Sequence, residues 1–83
     1  MQYYVYILNS LTYPEKFYVG YTEDIDARLA THNAGRSIHT AKDKPWVMVT
    51  YSVFEDKITA LNFEKYLKSH SGRAFASKHF SKK

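Results

Sequence analysis

Hydrophobic and aromatic residues along the chain cluster in three short runs that have the composition of β-strands. The runs are rich in Tyr, Val and Phe and extend from Tyr3 to Leu8, from Phe17 to Tyr21 and from Trp46 to Phe54. The polar segment 9–16 separates the first two runs, so we predict two antiparallel strands joined by a long loop. Regular alternation in the third run puts two sets of side chains on opposite faces, Val47, Val49, Tyr51 and Val53 on one and Met48, Thr50 and Ser52 on the other.

A helix and a loop are predicted between the second and third strands. Thr22 can act as the N-cap of a helix from Asp24 to Asn33, because acidic residues occupy the first turn and Gly35 stands just beyond the end. The following segment, Gly35 to Pro45, is polar and basic. Because a proline disfavours helical backbone at the residue before it, we predict a surface loop here.

Two further helices are predicted after the third strand. Asp56 can cap a helix from Lys57 to about Ser69, and Gly72 is a candidate end signal for it. Residues Ser71 to His79 predict a last, short helix. The order of elements is then β-β-α-β-α-α with no internal repeat or linker, so we expect one domain over residues 1–83.

The composition excludes several classes of protein. The chain has 83 residues, of which 45% are hydrophobic and 24% charged, and this balance is typical of a folded globular domain. The absence of cysteine excludes a disulfide framework and a thiolate zinc site, and it favours a reducing compartment. The first ten residues lack the pattern of a signal peptide, and no apolar run approaches the ~20 residues of a membrane span. We therefore expect a soluble, cytoplasmic protein that has no membrane segment.

Positive charge is concentrated in the C-terminal third of the chain. The formal net charge is +4, but residues 57–83 contain seven Lys or Arg residues and one acid, whereas residues 1–56 contain five basic and seven acidic residues. Such a distribution suits a polyanionic partner, because each phosphate that Lys or Arg neutralises releases condensed counterions. A solvated, lysine-rich helix face explains the same charge equally well.

Polar residues on the predicted helix faces give the first indication of a site. Arg28 and His32 lie four residues apart on the face that carries the apolar residues of the first helix. This placement favours the edge of a cleft, although an Arg side chain can also extend from the margin of a core to solvent. Glu64 lies on the apolar face of the second helix, where it needs a cation or a metal; an ion pair with Lys68 is the ordinary alternative.

Paired tripeptides link these residues to a known family. Tyr4-Val5-Tyr6 is followed after eleven residues by Tyr18-Val19-Gly20, and the pair resembles the GIY-YIG motif of a nuclease family. The resemblance continues over nearly the whole chain, through Thr22, Arg28, Leu29, His32, Asn33, Pro45, Ala60, Glu64 and Lys68. It is greatest to small, standalone GIY-YIG proteins. Two features depart from the pattern: Tyr4 replaces the first Gly of the motif, and no Asn follows Asn62, whereas many members have one after the glutamate.

The resemblance implies an α+β fold, a three-stranded antiparallel sheet flanked by helices, and metal-dependent hydrolysis of nucleic-acid phosphodiesters. We expect the nucleic acid to be DNA rather than RNA, although the sequence itself does not distinguish them. Tyr6 would be the general base or position the water, and Tyr18 would orient the nucleophile or the scissile phosphate. Arg28 would bind the phosphate and His32 would accept the proton of Tyr6. Glu64 would hold the metal, Mg²⁺ or Mn²⁺. Because a phenol with a pKa of ~10 is a weak base at neutral pH, we expect Arg28 and His32 to lower it.

Basic residues around the site are expected to bind nucleic acid. They are Arg36, His39, Lys42, Lys44, Lys68, Arg73 and Lys78. The terminal residues Lys82 and Lys83 would contact phosphates without sequence preference, and a protein partner would supply specificity.

Two alternatives to this interpretation remain open at the level of the sequence, and a third, a histidine zinc site, is disfavoured. Tyr6 and Tyr18 are also compatible with simple packing across a hairpin. A zinc site built from the four histidines, His32, His39, His70 and His79, lacks a recognisable ligand spacing. The chain could also be a nucleic-acid-binding module that has the fold of a nuclease and little or no catalysis.

Overall fold

Three antiparallel strands run through the centre of the protein, whose computed structural model describes residues 1–80. The strands are β1 (Tyr3–Ser10), β2 (Phe17–Thr22) and β3 (Trp46–Phe54), and the helices are α1 (Ile25–Asn33), α2 (Lys57–Lys68) and α3 (His70–Phe80). This order confirms the predicted β-β-α-β-α-α arrangement and the α+β fold class. No helix in this part of the chain is long and apolar enough to cross a membrane.

β1 is the central strand, because the sheet has the order β2-β1-β3 and both pairings are antiparallel. Every residue from 5 to 10 is buried, which explains why the first hydrophobic run shows no clear alternation. The side chains that β1 presents to either face therefore lie in the interior of the protein. Such a position holds a functional side chain rigidly.

Two clusters of buried side chains lie on the two faces of the sheet. The cluster under α2 is aliphatic and consists of Val5, Ile7, Ala60 and Leu67. The cluster under α1 is rich in aromatic rings and consists of Tyr6, Leu8 and Trp46, with the half-buried Tyr18, Ile25, Leu29 and Met48 packed against it. Successive residues of β1 thus belong to different cores, and Tyr6 lies in the aromatic one.

β3 departs from regular alternation. A register shift between Ile7 and Leu8 leaves Val49 as an extra residue in β3. Val49 packs in the cluster under α2, whereas Tyr51 pairs with Tyr6 and lies on the opposite face. A bulge of this kind moves every later side chain to the other face of the sheet. The prediction that Val47, Val49, Tyr51 and Val53 share one face of the sheet is therefore wrong.

The caps of the first two helices lie close to their predicted positions. Asp24, rather than Thr22, caps α1, because its carboxylate accepts a hydrogen bond of 3.1 Å from a backbone N–H of the first turn. Thr22 accepts a hydrogen bond from the N–H of Asp24 instead. Gly35, with a φ of 76°, follows the end of α1 as predicted. Asp56 is confirmed as the cap of α2.

Gly72 lies inside α3, so the prediction that it ends the second helix is wrong. α2 ends at Lys68, and Ser69 interrupts the helix with an extended backbone. The hydroxyl of Ser69 accepts a hydrogen bond of 3.2 Å from the N–H of Gly72. A Cβ atom on Gly72 would overlap the carbonyl group of Tyr66. The glycine therefore allows α3 to approach the end of α2 closely.

The loop between α1 and β3 is anchored to the core. It contains a short 3₁₀ turn, Ala41–Asp43, and its residues Thr40 and Asp43 are buried. Ser10 donates a hydrogen bond of 2.6 Å to the carbonyl of Asp43. The prediction of a surface loop holds for the basic residues, which are exposed, and is wrong for these two residues, because their polar groups find partners in the core.

Candidate active site

Tyr6 lies on the central strand, on the sheet face that α1 covers. Its side chain is 1% exposed. It pairs across the sheet with Gly20 of β2, and a Cβ atom on Gly20 would overlap the hydroxyl oxygen of Tyr6. Gly20 does not have a positive φ, so the close approach of the Tyr6 ring, and not the backbone conformation, accounts for the glycine.

The hydroxyl of Tyr6 contacts two side chains of α1. Nε2 of His32 lies 2.8 Å from the phenol oxygen. Nε of Arg28 donates a hydrogen bond of 3.2 Å to the same oxygen. The two α1 residues are spaced by four, so the helix presents both to one point above β1. The shared helix face that the sequence predicted for Arg28 and His32 is therefore the face that meets Tyr6.

A fourth residue extends this chain of contacts. Nδ1 of His32 lies 2.7 Å from the hydroxyl oxygen of Thr40, and both residues are 0% exposed. Thr40 belongs to the loop between α1 and β3. A continuous series of polar contacts thus runs from Arg28 through Tyr6 and His32 to Thr40.

Burial determines the protonation states of Tyr6 and His32. Burial raises the pKa of Tyr6 above 10, and the hydrogen bond from Arg28 opposes the rise. Burial also lowers the pKa of His32, and the charge of Arg28 adds to this effect. Tyr6 and His32 are therefore both neutral at pH 7. Arg28 therefore lowers the pKa of Tyr6 as expected, but desolvation outweighs this effect and the net shift of the pKa is upward.

Tyr18 stands beside this group on the edge strand β2. It pairs with Leu8, and its ring centroid lies 5.0 Å from that of His32 and 6.4 Å from that of Tyr6. The hydrogen bond to Tyr6 is the largest cause that raises the pKa of Arg28, and the nearby phenol of Tyr18 adds a smaller effect. Arg28 therefore interacts with both phenols of the motif.

Glu64 lies on α2, and its ion pair with Lys68 connects it to the site. Nζ of Lys68 lies 3.2 Å from Oε2 of Glu64 and 5.9 Å from the ring centroid of Tyr18. The charge of Glu64 is also one of the smaller causes that raise the pKa of Tyr6, after burial. The ion pair that was the ordinary alternative for Glu64 is thus present. The structure joins Tyr6, Tyr18, Arg28 and His32 directly, whereas Glu64 is linked to this group through Lys68 and through its charge.

A cleft of about 580 Å³ lies along the exposed edge of β2. Tyr18 forms part of its wall, and three residues that were predicted to bind nucleic acid line it, His39, Lys68 and Arg73. The other four, Arg36, Lys42, Lys44 and Lys78, are exposed but do not line this cleft. Lys82 and Lys83 lie outside the described residues. Polar and basic groups therefore meet beside Tyr18, whereas Tyr6, Arg28, His32 and Glu64 do not line this cleft.

Glu64 carries a carboxylate, a group that a hard metal ion prefers. Within residues 1–80, no group of three or more His, Asp and Glu side chains could together hold a metal. Mg²⁺ accepts a site with one protein carboxylate, because waters and substrate phosphates complete its shell. The carboxylate of Glu64, with a side chain that is 20% exposed, fits a site of this type. It does not fit zinc, which requires three or four protein ligands.

Sequence analysis missed Thr40. The residue lies in a polar loop, where no periodic pattern distinguishes it from a solvated residue such as Ser37. Its burial follows from the packing of Trp46, whose Nε1 donates a hydrogen bond of 3.0 Å to the carbonyl of Thr40. Asn33 supports the same arrangement, because its side chain pairs with both backbone groups of Trp46. The position of Thr40 is therefore a tertiary property.

Comparisons with known proteins extend over most of the chain. A family model described as the GIY-YIG catalytic domain matches residues 2–79. A UPF0213 protein from Lacticaseibacillus paracasei is 42% identical over 67 residues, which cover 80% of this chain and 73% of the relative. A UPF0213 protein from Staphylococcus haemolyticus is 37% identical over 71 residues, 84% of each chain. The solution NMR structure of a UPF0213 protein from Bacillus halodurans aligns with a TM-score of 0.57 and 30% identity, over 96% of this chain and 87% of that one.

Proposed function

The chain belongs to the GIY-YIG family, as its motif residues predicted, and on this basis we propose that it is an endonuclease that hydrolyses nucleic-acid phosphodiesters, DNA in preference to RNA. One observation carries the proposal: the hydroxyl of Tyr6 has an imidazole nitrogen at 2.8 Å and a guanidinium donor at 3.2 Å. A phenol that takes a proton from water needs an acceptor for its own proton and a cation to stabilise the oxygen. His32 and Arg28 supply these two partners.

In the proposed reaction, a water molecule attacks phosphorus while its proton passes to the oxygen of Tyr6. The proton of Tyr6 moves at the same time to Nε2 of His32, and the bond from phosphorus to the leaving oxygen breaks. Because burial raises the pKa of Tyr6, a concerted transfer is favoured over a free phenolate. Arg28 neutralises the charge that grows on the phosphate, and Tyr18 orients the attacking water.

Glu64 is the proposed ligand of the divalent ion, Mg²⁺ or Mn²⁺. When bound, the ion supplies charge neutralisation at the leaving oxygen. Lys68 pairs with the carboxylate of Glu64 in the free protein and lines the cleft. The nucleic acid would follow the cleft along β2, where His39, Lys68 and Arg73 can contact its phosphates.

The proposal is tested by the cleavage of plasmid, single-stranded DNA and RNA with and without Mg²⁺ or Mn²⁺. Glu64→Gln keeps the size of the side chain and removes its charge, so we expect the rate to fall at least ~10²-fold. EDTA should abolish the activity of the wild-type protein. Glu55→Gln, at an exposed position just before α2, is the matched control and should cleave normally. Undiminished cleavage by Glu64→Gln, or in EDTA, would exclude Glu64 as the metal ligand.

A nucleic-acid-binding module with little catalysis is the second candidate. Two observations favour it: the hydroxyl of Tyr6 is buried, and Glu64 is already paired with Lys68. A wild-type protein that binds DNA but cleaves none of these substrates with either metal would support this candidate. Metal-dependent cleavage that Glu64→Gln abolishes would exclude it.

A further inference from the structure

Thr40 is buried beside the imidazole of His32 and has no assigned role. We propose that Thr40 is a positioning residue: its hydroxyl accepts a hydrogen bond from a protonated Nδ1 of His32 and so keeps Nε2 free to receive the proton of Tyr6. The observed contacts are 2.7 Å from Nδ1 to Thr40 and 2.8 Å from Nε2 to Tyr6. The catalytic consequence rests on the proposed function, whereas the tautomer of His32 does not.

Backbone hydrogen bonds hold Thr40 in place independently of His32. Its carbonyl accepts hydrogen bonds from Nε1 of Trp46 at 3.0 Å and from the N–H of Asp43 at 3.1 Å. Its own N–H donates to the carbonyl of Ser37 at 3.2 Å. The hydroxyl is therefore preorganised, which is the property that a group needs in order to orient another residue.

The donors around Tyr6 favour this tautomer. A neutral imidazole carries one proton, on Nδ1 or on Nε2. Arg28 can only donate, so the oxygen of Tyr6 already accepts one hydrogen bond. With the proton on Nδ1, the hydroxyl proton of Tyr6 finds an acceptor in Nε2. With the proton on Nε2, the imidazole would be a second donor to the oxygen of Tyr6 and could not receive its proton.

The proton transfer of the proposed reaction also requires an acceptor at Nδ1. When the proton of Tyr6 reaches Nε2, His32 becomes an imidazolium and both of its nitrogens donate. The oxygen of Thr40 then accepts from Nδ1, as the third member of a catalytic triad does. Thr40 is neutral, so it orients the imidazole without holding it in the charged form. After the step Tyr6 again carries one proton, which came from the water. Tyr6 can pass this proton to the leaving oxygen or to solvent and take back the proton on Nε2, which returns His32 to its neutral form.

Nitrogen NMR of the ¹⁵N-labelled protein tests the tautomer directly. We expect the wild-type spectrum of His32 to show a protonated Nδ1 and an unprotonated Nε2. Thr40→Val keeps the shape of the side chain and removes the acceptor, so the preference for the Nδ1 proton should be lost. Thr40→Ser keeps the hydroxyl and should retain the wild-type tautomer.

Cleavage assays on the same variants test the catalytic consequence. Thr40→Val should cleave ~10- to 100-fold more slowly than wild type, in the range found for residues that orient a functional histidine. Thr40→Ser keeps the hydroxyl and should cleave within about threefold of the wild-type rate. If Thr40 acted only through the packing of its methyl group, Thr40→Ser would lose activity instead. Thr31→Val is the matched control, because the hydroxyl of Thr31 bonds to the carbonyl of Ala27 and not to the site.

The outcomes separate this inference from the proposed nuclease activity. A protonated Nε2 in the wild-type protein, or a folded Thr40→Val protein that cleaves at the wild-type rate, overturns the role of Thr40. If the wild-type protein cleaves nothing, the nuclease proposal fails, and the NMR result still decides the tautomer. If Thr40→Val does not fold, the wild-type spectrum and Thr40→Ser decide it.

Discussion

At the scale of single residues, the hydroxyl of Tyr6 belongs both to the core and to the candidate site. The ring packs against Leu8 and Trp46, so the alternative interpretation of Tyr6 as a packing residue is correct for its carbon atoms. The oxygen contacts His32 and Arg28, which packing alone does not require. The two interpretations therefore concern different atoms of the same side chain, and a substitution can separate them.

Tyr6→Phe removes the oxygen and keeps the ring. We expect the free energy of unfolding to fall by about 1–2 kcal/mol, because His32 and Arg28 lose a buried partner. The cleavage rate should fall ~10²-fold or more if Tyr6 moves the proton. Thermal melting and plasmid cleavage measure the two effects, with binding of DNA as the control for a folded cleft. A folded variant that cleaves at the wild-type rate would leave Tyr18 as the remaining phenol candidate.

The buried imidazole of His32 predicts a pH dependence of stability. Its pKa is 6.5 in the unfolded chain and lower in the folded protein. Between these two pKa values the unfolded chain therefore binds a proton that the folded protein does not. Stability should therefore decrease as the pH falls from about 7.5 to 5.5, by at most about 1.4 kcal/mol per pH unit from this residue. Urea unfolding of wild type and His32→Gln checks this, since the variant should lose that part of the slope. Equal slopes would contradict the burial effect.

At the scale of elements, the site depends on how three segments approach one another. β1 supplies Tyr6, and α1 supplies Arg28 and His32. On β2, Gly20 has no Cβ atom, which leaves room for the hydroxyl of Tyr6. The glycine of the second tripeptide thus leaves space for the side chain of the tyrosine in the first. This explains in physical terms why the two halves of the motif occur together on paired strands.

Gly20→Ala tests this dependence. The added methyl group would overlap the oxygen and Cζ of Tyr6, so the phenol must move or the strands must separate. We expect a loss of about 1–3 kcal/mol in stability, as for other overpacked sites, together with slower cleavage. Combining Gly20→Ala with Tyr6→Phe should cost less stability than the sum of the single changes, because the nearest atom is gone. A Gly20→Ala protein that melts like wild type would show that the gap is not needed.

At the scale of the whole molecule, the cleft brings together cations from distant parts of the chain, Lys16, Lys68 and Arg73, with the acids Glu15 and Asp43. Lys68 at the end of α2 and Arg73 on α3 reach the cleft, whereas Lys78 lies on α3 outside it. The basic residues of the C-terminal third therefore divide into cations that line the cleft and cations that do not. Position around the helix, and not distance along the chain, makes the difference.

Binding of DNA at several salt concentrations distinguishes the two kinds of cation. Arg73→Gln should weaken binding and reduce the slope of log K against log salt by ~0.9 for one lost contact to a phosphate of duplex DNA. Lys78→Gln, on the same helix, is the matched control and should change the slope less. If the two variants have the same slope, the cleft is not the path of the nucleic acid.

Local properties of the chain were predictable from the sequence by itself. The strands, the order of elements and the shared face of Arg28 and His32 each depend on residues within a few positions of one another, and composition and periodicity encode such relations directly. The motif also predicted the family. The alternation of β3 was wrong because a bulge depends on pairing with β1 and leaves no local pattern.

Residue types and spacing did not determine which groups touch; the family resemblance alone implied the contact of Tyr6 with His32, and the tertiary structure added the contact with Thr40. Tyr6 and His32 are 26 residues apart, and Thr40 belongs to a loop whose sequence predicts exposure. The contact of Thr40 with His32 arises because the loop packs against the buried Trp46, whose Nε1 donates a hydrogen bond to the carbonyl of Thr40. The same burial raises the pKa of Tyr6 against the effect of Arg28. Desolvation depends on everything packed around a group, so residue types and spacing alone do not determine it.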